Sequence, residues 1–376
     1  MYILIVSRGY PTEKYAANGI FEFEQALALR DSGHKVVLAA VDLRSIRRWR
    51  RWGIERIEKE GIEVWSINIP CGNMPKDILY RAGIFGLKIL YKKIYSQHGA
   101  PDIVHAHFGR IGFISLKALS ENKLPIVITE HLSLVLTKKL KNFEISCLKS
   151  CVEESNAFIC VSSALKRSVL QLTGSNKNIY VVPNMVSPLF KYKSKQSNKE
   201  NFLFLSVGNL VESKRFDITI DAFSKAFQGN EAVKLYIGGN GPQRGYLKQK
   251  INELKMNNQI FLIGQLTRQE VVEKMHECDV FVLASDFETF GVVYIEALAC
   301  GKPVIGTRNG GAEDIINSTN GIIVDVNNVE QLAVAMEEMY KFSTRFDNQK
   351  ISLDCSAQYG EKALIDKLLS IYRNLL

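Results

Sequence analysis

No apolar run in this chain of 376 residues approaches the ~20 residues that cross a bilayer as a helix, so a membrane-spanning helix is not expected. The N-terminus has neither a basic opening stretch nor a small-residue cleavage site. Met1–Val6 runs directly into a strand-like apolar segment, and no secretion signal is expected. Cysteine pairs are missing too. Cys71, Cys147, Cys151, Cys160, Cys278, Cys300 and Cys355 are odd in number and scattered, with no Cys-x-x-Cys. That pattern argues against a disulfide framework or a zinc site and for reduced thiols in a cytosol. No short-period repeat is present, and the two halves resemble each other only as architecture.

What is present is ordinary globular composition, 46% apolar and 23% charged, in a length that fits two domains of about 150–200 residues each. The net charge of +9 is unevenly placed. Residues 1–186 carry 26 Lys+Arg against 16 Asp+Glu, or +10, and the remaining 22 against 23 give −1. A basic half attracts anions such as nucleic acid, anionic lipid or a phosphorylated substrate, and says nothing about fold.

Short β-branched runs at Tyr2–Val6, Val36–Ala40, Val64–Ile67, Ile103–His105, Ile126–Thr129, Phe158–Val161 and Ile179–Val182 alternate with helical patterns. One such helix is Ile20–Leu29, ended by Gly33. Alternation of this kind predicts βαβ units and a parallel sheet. The polar, lysine-rich segment at 187–200 then reads as a linker. The rhythm restarts with Phe202–Val207, Leu235–Ile237, Ile260–Ile263, Val280–Leu283, Val304–Thr307 and Ile322–Val324. The expectation is an α/β fold of two Rossmann-like, doubly wound domains at 1–186 and 201–355, facing each other across a cleft. A final amphipathic helix over Ala357–Leu376, within a segment 356–376, is expected to pack back on the first domain.

The stretch Ser285–Val304 carries the most chemistry. It follows a buried strand and opens a helix, with Glu288 in the loop and Glu296 two turns in. A helix start offers free backbone N–H groups and a positive dipole end to an anion. Glu288 could reach a sugar hydroxyl beside that anion, and Glu296 a ribose diol. Two glutamates eight apart also occur on any solvated helix with a core stripe, here Val293, Ile295 and Leu298.

Around this pair, the stretch resembles the E-x7-E region of family 4 of the retaining glycosyltransferases. Other segments match that family in order. They are Tyr10-Pro11 through Gly19–Phe21, Gly33-His34, Asp102–His107, Thr129–His131, Val182–Asn184, Val207–Lys214, Gly238–Pro242 and Phe261–Gly264. The resemblance spans nearly the whole chain and implies the GT-B arrangement, with a nucleotide-sugar donor bound mostly by the second domain. It implies that Lys214 neutralises the diphosphate and that Glu288 binds the transferred sugar. Glu296 would hold the ribose, and amides from Phe290 through Gly291 to Val292 would meet the phosphates. Gly208, Asn209, Gly239 and Gly264 would line the donor turns, Gly19 would approach the β-phosphate, and His131 would lie near the sugar. Glu288, His131 and Lys214 are the expected catalytic set.

The family's usual arginine is replaced by Asn209, which donates a hydrogen bond but carries no charge. Either Arg215 or a first-domain base such as Arg8 compensates, or phosphate binding is weaker than is usual in the family. Asn18 also replaces a common glycine. His105 and His107, two apart on a strand, face one side as metal ligands could. No nearby carboxylate or thiol completes a set, so a helper or packing role is expected, and no metal or other cofactor. The cluster Gly238–Gly241 lacks the G-x-G-x-x-G form of a dinucleotide fingerprint.

Arg44–Lys59 holds seven Lys/Arg with Trp49 and Trp52. Such a stretch suits an anionic membrane surface as well as an ordinary surface loop, and the helical pattern at Ala82–Gln97 adds a second basic face. No nucleic-acid recognition module appears, so no nucleic-acid partner is expected. The expectations are a cytoplasmic protein, peripheral at the inner membrane face, and a UDP- or GDP-linked donor. The expected acceptor is lipid-linked or a saccharide, and the pathway cell-surface polysaccharide assembly. A nucleotide-sugar epimerase of similar fold and a non-catalytic membrane- or sugar-binding relative are the alternatives.

Overall fold

The computed structural model describes residues 1–15, 18–45, 47, 51–194 and 201–376. The chain divides into two units, Met1–Asn184 together with Leu364–Leu376, and Met185–Ala363.

The first unit is built on eight strands: β1 (Tyr2–Ser7), β2 (Lys35–Asp42), β3 (Gly53–Lys59), β4 (Ile62–Asn68), β5 (Ile103–His107), β6 (Ile126–Glu130), β7 (Ala157–Cys160) and β8 (Tyr180–Val181). Their order is β3-β4-β2-β1-β5-β6-β7-β8, parallel except for β3 against β4. The helices are α1 (Ile20–Asp31), α2 (Lys76–His98), α3 (Gly109–Ala118), α4 (Ser133–Leu136), α5 (Asn142–Glu154) and α6 (Ser163–Thr173). Ile3 to Val6 on β1 are all fully buried, because helices cover both faces of a parallel sheet. Burial of each such side chain contributes about 1.5–3 kcal/mol. The strand order reverses between β1 and β5, and ligands of open α/β sheets bind at the carboxyl ends there.

The second unit has six parallel strands: β9 (Phe202–Val207), β10 (Val233–Gly238), β11 (Ile260–Gly264), β12 (Val280–Leu283), β13 (Val304–Thr307) and β14 (Gly321–Val324). Their order, β11-β10-β9-β12-β13-β14, is the doubly wound Rossmann order with its reversal between β9 and β12. Its helices are α7 (Phe216–Phe227), α8 (Arg244–Glu253), α9 (Arg268–Glu277), α10 (Val292–Ala299), α11 (Val329–Phe342) and α12 (Asn348–Tyr359).

Three expectations are corrected. The segment from Ala357 is not one helix. The chain breaks at Gly360, where a Cβ would meet the Ser356 carbonyl oxygen at 2.4 Å, and α13 (Glu361–Arg373) begins afresh. Residues from Leu364 onward cluster with the first unit, whereas α12 belongs to the second. The linker at 187–200 also differs: residues up to 194 cluster with the second unit, with Phe190 buried, and 195–200 lie outside the described residues. Finally, the basic stretch contains an unexpected edge strand, β3. It forms a hairpin with β4 through Glu60-Gly61, both at positive φ, the turn whose twist matches paired strands.

Candidate active site

Four strand ends build the site in the second unit. After β9, Gly208 donates its N–H to the Gly238 carbonyl, and Gly239 donates to that of Gly264. The strand ends β9, β10 and β11 are thereby laced into one surface. Gly239 sits at φ 145°, and a Cβ there would lie 1.9 Å from the Gly208 carbonyl oxygen, so only glycine permits the approach. Asn209 is exposed at the tip of this surface.

Across the strand reversal, the loop after β12 is fixed from both sides. Asp286 N–H donates to the Ser213 carbonyl and Glu288 N–H to that of Asn309. The carboxylate Oε1 of Glu288 accepts from Lys214 Nζ at 2.5 Å and from Ser285 Oγ at 2.8 Å. Lys214 and Glu288, 74 residues apart, thus form an ion pair at the reversal point, with side chains 25% and 13% exposed. Gly291, at φ 95°, precedes α10 with no side-chain cap; of the first-turn amides, that of Tyr294 donates to the Gly291 carbonyl. Phe290 is buried against Tyr359, which fixes the backbone just before these amides.

Arg215 does not offer a free charge in place of the missing arginine at Asn209. Its guanidinium is held by Asp217 at 3.1 Å and Asp286 at 3.3 Å. The bond to Asp217 raises its pKa further, while burial pushes the Asp286 carboxyl up. Glu296 lies on α10 with Arg268 of α9 3.9 Å away, a neighbour that sequence reasoning missed. The Thr267–Glu270 capping box at the start of α9 locates Arg268 on a helix, but nothing in the sequence aims it at Glu296.

Gly19 and His131 belong to the first unit. Gly19 opens α1 at φ 70°, and a Cβ would lie 2.1 Å from the Gly9 carbonyl oxygen, so the backbone alone demands glycine. His131 ends a buried ladder. Gln25 Nε2 lies 3.1 Å from His105 Nδ1 and 3.3 Å from His107 Nε2. His105 Nε2 is 2.7 Å from Thr129 Oγ1, His105 Nδ1 is 2.5 Å from the Tyr372 hydroxyl, and His107 Nδ1 is 3.1 Å from His131 Nε2. With Gln25 donating to both rings, His105 donates to Thr129 and His107 to His131, which places the remaining His131 proton on Nδ1.

Burial holds His105 and His131 down to about 3 and His107 well below its ordinary value. The ladder is therefore a neutral hydrogen-bonding chain rather than a set of cations. Next to it, buried Glu130 accepts from the amides of Gly109, His131 and Leu132 at 2.8–2.9 Å, fixing the loop that carries His131. Phe108, at φ 68°, packs against His131 at 5.0 Å, with the Arg8 guanidinium 4.1 Å from its ring.

The cations of Arg44–Lys59 that the structure describes are partly engaged. Arg44 pairs with Asp42 and lies over Tyr15, and Arg56 pairs with Glu63 beside Trp65. Trp49, with Arg48 and Arg50, lies outside the described residues. Among the described residues no helix is long and apolar enough to cross a membrane.

Two Rossmann-like units of this topology are the parts of the GT-B fold, which solved glycosyltransferase structures share. Family models match in two blocks, Glycosyltransferase Family 4 over residues 22–188 and Glycosyl transferases group 1 over 190–350. An uncharacterized glycosyltransferase of Methanocaldococcus jannaschii is 34% identical over 262 residues, 66% of this chain and 68% of that one. The chain belongs to the group 1 glycosyltransferases. It is also similar to N-acetyl-alpha-D-glucosaminyl L-malate synthase of Bacillus anthracis, 25% identical over 289 residues, 73% of this chain and 75% of that one. Among solved structures, HepE of Anabaena in complex with UDP and glucose superposes with a TM-score of 0.74 at 18% identity, covering 100% of both chains.

Proposed function

We propose that the chain is a retaining hexosyltransferase that binds a nucleotide-sugar donor in its second unit, using Lys214, Glu288, Glu296 and the first amides of α10. The observation that carries this reading is the Lys214–Glu288 pair at the β9/β12 reversal, beside the uncapped start of α10. A donor supplies both partners at once. Its diphosphate replaces Glu288 as counter-ion of Lys214, and its sugar hydroxyls replace Lys214 as donors to Glu288. The exchange leaves Lys214 with a counter-ion and Glu288 with hydrogen-bond donors, and so avoids the cost of stranding either group of a half-buried pair without a partner. The complex of HepE with UDP supports a UDP-linked donor, with GDP as the other candidate base.

In the transfer step the bond between the anomeric carbon and the diphosphate oxygen breaks, and a bond to the acceptor oxygen forms on the same face. The acceptor proton goes to the departing phosphate oxygen. Lys214 and the α10 amides stabilise the charge that develops on the leaving diphosphate, neutralisation that needs no metal in this scheme. Glu288, held by Ser285 and Lys214, is placed to accept from hydroxyls. His131, held neutral by burial, is the first-unit group we assign to the neighbourhood of the sugar. The acceptor is lipid-linked or a saccharide, consistent with polysaccharide assembly at the inner face of a membrane.

The test is Glu288→Ala with turnover measured as UDP release. Turnover should fall by about 10²–10³-fold, the range for losing one preorganised transition-state contact, with the melting midpoint little changed. Full turnover in that variant would refute the assignment.

A further inference from the structure

The two sheets end in four outer strands, β3 and β8 in the first unit and β11 and β14 in the second. Three of them are short, with two residues in β8, five in β11 and four in β14. β3 has seven, Gly53–Lys59, and among the described residues it pairs on one side only, with β4. Proteins protect an open edge by keeping it short or by charges that repel a second strand. β3 is not short, and its charges alternate in sign along Glu55-Arg56-Ile57-Glu58-Lys59.

The register shows which backbone groups face the open side. Lys59 stands opposite Ile62 across the two-residue turn Glu60-Gly61, the hydrogen-bonded pair that closes such a turn. Hydrogen-bonded pairs alternate along antiparallel strands, so Lys59, Ile57 and Glu55 direct their N–H and C=O groups to β4. Ile54, Arg56 and Glu58 direct theirs outward.

Read in reverse, this edge is complementary to itself. A second copy running antiparallel about Ile57 sets Arg56 opposite Glu58 and Lys59 opposite Glu55, each twice by symmetry. Arg56 and Glu58 then form the hydrogen-bonded pairs, as their outward backbone groups require. Moving the axis to Glu55, Arg56, Glu58 or Lys59 would put like charges face to face on it, which destabilises strand pairing.

Glu58 also lacks a cation in its own hairpin. It lies directly opposite Glu63 of β4, and among the described residues it has no ion-pair partner. Glu63 is supplied by Arg56 at 2.9 Å, Trp65 Nε1 at 2.6 Å and His98 Nε2 at 3.1 Å. The Arg56 side chain is 49% exposed and carries five N–H donors, enough to reach a second carboxylate while keeping Glu63.

We propose that β3 is a homodimer interface, where a second copy of this chain pairs antiparallel about a two-fold axis at Ile57 and extends the sheet across both copies. The contact is isologous: Arg56 of each copy meets Glu58 of the other, and the unpaired N–H and C=O groups of the edge are satisfied. It does not depend on the transferase reading.

Sedimentation velocity of the full chain from about 1 to about 100 μM tests this, a range that covers micromolar association. The wild type should reach a species of twice 42.4 kDa at the upper end. Glu58→Arg should weaken association by at least about tenfold, because arginine then faces arginine between copies. Its melting midpoint should not fall, since within the hairpin the new guanidinium lies opposite Glu63. Arg56→Glu should weaken association in the same way, by setting glutamate against glutamate. An equimolar mixture of the two variants has opposite charges in both pairs and should form the dimer that neither forms alone. A wild type that stays monomeric throughout, a Glu58→Arg variant that associates as the wild type does, or a mixture of folded variants that stays monomeric would each overturn the proposal.

Discussion

The two units share a doubly wound sheet and use its reversal point in opposite ways. In the second, Lys214 and Glu288 meet at the β9/β12 reversal as a half-buried ion pair, reachable by a ligand that can replace each partner. In the first, the groups behind the β1/β5 reversal are sealed. His105 and His107 are at most 1% exposed, and burial keeps the rings neutral. One unit holds a half-buried pair of charges at its reversal, and the other a chain of neutral hydrogen bonds. The contrast suits a donor that must be gripped through its phosphates and an acceptor hydroxyl that must be oriented.

Acid should break this symmetry most strongly. The three ladder histidines have folded pKa values below the ordinary ~6.5, so the unfolded chain takes up their protons first. Their contribution to stability is complete above about pH 6.5 and is lost as pH falls toward 3, up to about 1.4 kcal/mol per pH unit for each fully buried ring. Residues 185–363 contain one histidine, His276. Hydrogen exchange between pH 7 and pH 4.5 should therefore show β5 and β6 losing protection before β9 and β12. Simultaneous loss would remove the distinction between the units.

Lys214→Ala comes next, with turnover falling by about 10²–10³-fold. If the two groups act as a unit, the double variant with Glu288→Ala should cost clearly less than the sum of the singles. Additive losses would mean that the two groups contribute independently and that their contact is not what catalysis uses. Gly239→Ala should then destabilise the second unit by about 1–3 kcal/mol or more, from a strained backbone angle and the Gly208 carbonyl, read as a lower melting midpoint. The smallest effect is expected for Tyr372→Phe, about 1 kcal/mol for one lost hydrogen bond. Its diagnostic readout is the nitrogen NMR shift of His105, which should move when Nδ1 loses the hydroxyl, whereas simple packing loss would leave it in place.

The sequence makes the parallel strands legible because each is a continuous apolar run bounded by helical periodicity. It hides β3, where Ile54 and Ile57 are three apart among Glu55, Arg56, Glu58 and Lys59, so that neither strand alternation nor an apolar run shows on this half-exposed edge. The break at Gly360 is hidden for a related reason: apolar spacing continues on both sides of it.

At the site, spacing and glycine turns expose Lys214, Glu288 and Glu296 as members of a motif. They do not show that Lys214 contacts Glu288, that Arg215 is spent on Asp217 and Asp286, or that Arg268 approaches Glu296. His105 and His107 read as a same-face pair from strand alternation alone. Their partners Gln25 and Tyr372, 80 and 267 residues from His105, belong to tertiary packing that no local pattern encodes.

The central claim, a nucleoside diphosphate held by the second unit through Lys214, is tested most directly by thermal shift with UDP and GDP on wild type and Lys214→Ala. At about 100 times its dissociation constant a ligand adds about 2.7 kcal/mol, enough to raise the midpoint by several degrees. The account predicts a rise with UDP that is lost or strongly reduced in the variant. No rise with either diphosphate, or an equal rise in both proteins, would contradict it.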